Sequence, residues 1–200
     1  MYGFQWNRAP AGYDRTHVFQ AGWVYELPVG KGKAFVTNGP ASYILGNWKL
    51  NGTLSAFTGV PFTVTASSTS LNAGPDNQQT ADQVKLNVAQ LGGIGPGQTF
   101  FDTTAFVPVT AVRFGNVGRN TLRGPGIFNT DLSLFREFPI KERLHLEFRT
   151  DCFNLTNTPK FSNPTASASS GTFGQITSTL SNSTALNTER QFRFGLRVVF

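Results

Sequence analysis

Little in this sequence is available for reactive chemistry. One cysteine, Cys152, cannot close an internal disulfide, and it reads as a small apolar residue on a strand. Two histidines, His17 and His145, stand far apart and make no metal-ligand pair. The Gly-rich stretch GGIGPGQ (92–98) lacks the following Lys-Ser/Thr of a phosphate loop. No enzyme constellation and no cofactor site are therefore expected. Charged residues make up 14% of the chain, against about a quarter in a typical domain. The net charge is +6, but the 17 basic residues are scattered without a Lys/Arg run, so no nucleic-acid partner is expected. No stretch approaches the roughly 18 apolar residues of a membrane helix. The opening MYGFQWNRAP has no basic segment followed by an apolar run, so it does not read as a signal peptide.

What the chain has is phenylalanine (19), glycine (21) and strict alternation. In RQFRFGLRVVF (190–200), Phe192, Phe194, Leu196, Val198 and Phe200 alternate with Arg193, Gly195 and Arg197. Period-2 alternation predicts a strand with two unlike faces. Four more segments alternate in the same way. In 16–27 the apolar set is Phe19, Ala21, Trp23, Tyr25 and Leu27. In 47–64 it is Trp48, Leu50, Leu54, Ala56, Val60, Phe62 and Val64, opposed by Lys49, Asn51, Thr53 and Ser55. In 128–138 it is Phe128, Leu132, Leu134 and Phe138, opposed by Asn129, Asp131, Ser133 and Glu137. In 143–153 it is Leu144, Leu146, Phe148 and Cys152, opposed by His145, Glu147, Arg149 and Asp151. This register is expected to keep arginines off the apolar face.

The connections differ in kind. Residues 139–143 make a short turn, and 28–46 a moderate one in which ASYIL adds a short helical turn. Residues 66–125 and 155–190 read as long loops without structure of their own. The alternation alone fits either a soluble antiparallel sandwich, apolar side inward, or an outer-membrane barrel, apolar side to lipid. Two long loops are uncommon in a compact soluble domain. Short turns at one end, long loops at the other, and aromatics near strand ends (Trp23, Tyr25, Trp48) favour the barrel. Carboxylates on its polar wall, Asp131, Glu147 and Asp151, are expected to be solvated or paired with Arg149 or Arg193.

Residues 101–164 resemble the C-terminal part of TonB-dependent receptors of the Oar-like kind, abundant in acidobacteria. The family's FDTSAF, GNxGRNxLRGPG, DLSLFKNF and FNxxNHPNF patterns correspond to 101–106, 115–126, 131–138 and 153–161. Thr158 stands where a His is common. LPVGKGKAF and ILGNWKLNGTLSAFTGVPFTV resemble the preceding hairpin, so the likeness covers nearly the whole chain. The resemblance implies an all-β fold of antiparallel up-and-down strands, with residues 1–200 supplying about five strands of a barrel of about 22. It implies an outer-membrane location and uptake of a substrate that the sequence does not name. The implied partners are outer-membrane lipid, the plug and remaining strands of the same receptor, TonB, and the barrel assembly machinery. In that setting Phe192, Phe194, Leu196, Val198 and Phe200 face lipid and form the C-terminal assembly signal. Asp131, Glu147, Arg149, Asp151, Arg193 and Arg197 face the lumen. Residues 139–143 and 28–46 are periplasmic, and 66–125 and 155–190 lie outside. A passive barrel or adhesin wall and a soluble secreted β-sandwich binding module are the alternative functions.

Overall fold

The computed structural model of the chain describes residues 8–68, 78–141, 144–180 and 188–200. The chain folds into two compact units. One comprises Phe19–Ala56, Phe128–Pro159 and Ser181–Phe200; the other Met1–Val18, Phe57–Ile127 and Lys160–Leu180.

The first unit holds a five-stranded sheet. Its strands are β1 (Val18–Glu26), β2 (Lys49–Phe57), β7 (Ile127–Lys141), β8 (Leu144–Phe153) and β9 (Gln191–Val199), numbered in chain order with the short strands described below. They lie side by side in the order β1-β2-β7-β8-β9, as an up-and-down meander requires. The sheet does not close, so β1 and β9 are its edges. All five expected strands are present, and the fold is all-β and antiparallel as expected. A six-residue helix, α1 (Pro40–Leu45), occupies the connection from β1 to β2, with Pro40 in its first turn.

The register fixes the faces. Antiparallel β7 and β8 pair Leu132 with Cys152, Leu134 with Thr150, Arg136 with Phe148 and Phe138 with Leu146. Antiparallel β8 and β9 pair Cys152 with Phe192, Thr150 with Phe194, Phe148 with Leu196 and Leu146 with Val198. Directly opposed residues share a face, so these pairs form one apolar surface. It is open to the surroundings: Phe194 is 73% exposed, and Phe192, Leu196 and Val198 are exposed with it. The turn expected at 139–143 does not begin at Pro139: Pro139, Ile140 and Lys141 belong to β7, with a register shift between Pro139 and Lys141. Residues 142 and 143 lie outside the described residues.

The second unit corrects two expectations. The alternation of 47–64 does not form one strand. β2 ends at Phe57, and β3 (Pro61–Phe62) pairs instead with β6 (Leu122–Arg123). The break has a steric cause. Gly59 passes so close to Gly124 that a Cβ at 59 would lie 1.8 Å from the Gly124 carbonyl oxygen, and Pro61 has no N–H to give a continuing ladder. Beyond the break Phe62 and Val64 are core residues of this unit.

The long connections are likewise not structureless. Residues from both of them share one core of Phe62, Val64, Ala81, Phe100, Phe101, Ala105, Phe106, Val117 and Ile176. Phe101 is at its centre, with ring centroids 5.9 Å from Phe62 and Phe106 and 5.4 Å from Phe173. Little regular structure is needed. β4 (Asp82–Gln83) pairs with β5 (Phe106–Val107), and Thr65 bridges both Thr80 and Ser167. Residues 69–77 and 181–187 of these connections lie outside the described residues.

Candidate functional site

The second face of the sheet carries its charges. Glu147 opposes Arg197, Asp151 opposes Arg193, and Arg149 opposes Gly195. Of the six charged residues expected there, these five are brought together on one surface. Asp151 accepts hydrogen bonds from Arg149 Nε at 2.8 Å and from the Ser133 hydroxyl. Arg193 stacks on Phe153, its Cζ 4.9 Å from the ring centroid. The pairing of Asp151 with Arg149 follows the expectation for wall carboxylates. Asp131 is used locally: its Oδ1 accepts the Asn154 amide at 2.8 Å, just past the end of β8. Glu137, which the alternation placed on the polar side of its strand, sits directly opposite Glu147. Like charges so placed repel. Arg197, 3.8 Å from Glu147, offsets part of that cost.

At the end of this face nearest the β7–β8 turn lies a cleft of about 320 Å³, lined by Asn47, Lys49, Phe135, Glu137, Pro139 and His145 among others. The Lys49 ammonium is 5.5 Å from the Phe135 ring centroid. Lys33 and Lys49 both reach Glu26, at 2.9 and 3.7 Å. The surface alternates sign over short distances and is suited to contact a polar body. Among the described residues no three His, Cys, Asp or Glu side chains are grouped to hold a metal ion. Cys152 is buried in β8 on the apolar face, as a structural residue would be.

The apolar face corrects a further expectation. Arg136 falls on it, on the same side as Leu134 and Phe138, and is 5% exposed. The signal was legible, since position 136 has the parity of Leu132, Leu134 and Phe138. Phe200 lies beyond the end of β9 and is 96% exposed.

In the second unit the motif residues hold the fold. Asp102 caps the 3₁₀ turn Thr103–Ala105 by accepting from the Thr104 amide, and its other oxygen is 2.7 Å from Lys85 Nζ. Lys85, then the Thr104 hydroxyl, hold its carboxyl below the usual range. Arg113 grips Asp82 in a two-pronged pair at 2.6 and 2.9 Å and lowers that carboxyl too, against the opposing effect of burial. Arg123 reaches Asp14 from the 115–126 motif.

A family model described as "Outer membrane beta barrel domain" matches residues 1–193. No curated protein and no solved structure matches the chain. Among the described residues no helix is long and apolar enough to cross a membrane, which says nothing of crossing by strands.

Proposed function

The chain belongs to an outer-membrane β-barrel family and forms barrel wall in the outer membrane, and from that premise we propose that it is the C-terminal part of a TonB-dependent receptor. The observation that carries this reading is the five-stranded sheet with an exposed apolar face, a charged opposite face and two edges. Closure of a barrel removes such edges, and the rest of a larger barrel would supply it here. The four motifs in family order support this kind of barrel. In this reading Phe192, Phe194, Leu196 and Val198 meet lipid. Glu147, Arg149, Asp151, Arg193 and Arg197 meet the lumen or a plug domain, and Asp131 braces the end of β8. The long connections face outward and contact the substrate, and the role is transport without catalysis. TonB and the barrel assembly machinery are the implied partners.

The test is made on native outer membranes. Peptides of this chain, which alone accounts for 21.8 kDa, should migrate in a far larger band whose mobility shifts on heating. That band should cross-link to TonB, and a protonophore should abolish uptake of the substrate. A heat-shifting band that neither cross-links to TonB nor depends on proton-motive force would make it a passive barrel.

A further inference from the structure

Arg136 poses a problem that the barrel alone does not resolve. Among the pairs from Leu132 to Phe138 and their partners on β8 and β9, it is the only charged residue on the apolar face. An arginine bared to hydrocarbon is unfavourable away from the interface. Its guanidinium instead donates to the carbonyls of Tyr43 and Ile44, at the end of α1. A helix leaves its last carbonyls without internal partners, so these are acceptors in want of donors. Trp48 Nε1 donates to the same Ile44 oxygen at 3.1 Å. The guanidinium also lies over the rings of Phe138 and Trp48, 4.3 and 5.6 Å from their centroids, in the geometry of cation–π attraction. Trp48 in turn stands edge-on to Phe138 and Phe148 of the apolar face. Arg136 of β7 and Trp48, just before β2, thus fasten α1 at that face. The helix, PASYIL, has no charge, and Tyr43, Ile44 and Leu45 point away exposed.

We infer that α1 is a membrane-interface anchor. Tyr43, Ile44 and Leu45 insert at the headgroup–acyl boundary of the leaflet on the β7–β8 turn side, and Arg136 is the positioning residue that holds the helix there. Lipid is the occupant because the patch is continuous with the face that an outer-membrane barrel turns to lipid. A tyrosine among aliphatic side chains suits that boundary, its ring apolar and its hydroxyl wet. The inference rests on the outer-membrane placement but not on the transport reading.

The test uses the intact protein, with Cys152→Ser and a nitroxide at Ile44→Cys, in vesicles of phosphatidylethanolamine and phosphatidylglycerol. Collision with oxygen, which partitions into lipid, is compared with collision with an aqueous nickel chelate. Labels at Phe194 and at the exposed loop residue Leu86 are the lipid and water references. The label at 44 should be shielded from nickel as at 194. In Arg136→Gln it should become nickel-accessible as at 86, with 194 unchanged. A water-exposed 44 beside a shielded 194 overturns the anchor and leaves the barrel intact, whereas water at both positions overturns the barrel placement. Trp48→Phe keeps the ring and removes one bond to Ile44, so it should raise nickel access at 44 even where Arg136→Gln does not assemble. A label that stays shielded in every assembled variant would show that neither side chain holds the helix.

Discussion

Asn154 is fully buried, yet both ends of its side-chain amide are matched four residues on. Nδ2 donates to the Thr158 carbonyl at 3.1 Å, and Oδ1 accepts the Thr158 amide at 3.0 Å. Its φ of 50° is one that asparagine tolerates better than most residues. Asn154→Ala orphans two polar groups, each costing about 1–3 kcal/mol when buried. Asn154→Asp keeps the acceptor but brings a carboxylate beside Asp131. Both variants should melt earlier in detergent than the parent, and wild-type melting of Asn154→Ala would refute the role. The motif match at 153–161 was legible in the sequence, but its use was not, because a local side-chain clamp has no periodicity. Asp82 carries a pH dependence. Its folded pKa lies below the ordinary value, so its contribution is complete above the unfolded value of about 3.9 and is lost as pH falls through the lower folded value. Removing the charge should therefore flatten part of the acid dependence below about pH 4. Hydrogen exchange around 79–83 and 113–117, compared between parent and Asp82→Asn, reads this directly. An unchanged acid profile would show that the Arg113 pair contributes nothing.

Among the elements, β1 and β2 are matched by a side chain and a vacancy. The Trp23 ring occupies the space beside Gly52, where a Cβ would lie 2.0 Å from the ring. An aromatic laid over a strand glycine compensates for its missing side chain. Gly52→Val must eject the ring, and overpacking of this kind costs about 1–3 kcal/mol. Loss of the Trp23 fluorescence environment with an earlier melt is expected, and an unmoved spectrum would argue against the contact. Face assignment is tested on β8. Leu146→Arg puts a charge on the apolar side, at about 2–4 kcal/mol if that side meets lipid near the midplane, whereas Glu147→Arg stays on the polar side. Folded yields in the membrane should fall for the first and hold for the second. Both faces of β8 and β9 were legible because period 2 persists wherever the two surroundings differ. The end of β2 was not. Alternation continues through Val60, Phe62 and Val64 although the chain changes partners, since a second apolar core asks for the same pattern. The 66–125 segment hid its core for the opposite reason: an isolated bridge holds Phe101 and the two-residue strand β5 holds Phe106, neither long enough to alternate.

On the scale of the molecule, two unlike stabilities coexist. The unit built on Phe101 has an aqueous-type core, so Phe101→Ala should cost it about 3–5 kcal/mol and leave the apolar surface of the sheet unaltered. The sheet is in the contrary position. Its apolar face is exposed and its edges, β1 and β9, present rows of backbone N–H and C=O groups. In water the apolar face drives aggregation. In detergent the face is satisfied but the edges are not, because each unpaired backbone group in an apolar medium costs several kcal/mol. With two such edges the summed cost exceeds the whole stability of an ordinary domain, about 5–15 kcal/mol. Residues 1–200 expressed alone and refolded into detergent should therefore associate edge to edge or remain heterogeneous, with a broad melt and no single mass. If the sheet is one part of a larger barrel, co-refolding with the other strands of that barrel should restore one species with a cooperative melt. A monodisperse monomer of the isolated chain that melts cooperatively would mean that its edges are covered from within, and the shared-barrel reading would be lost.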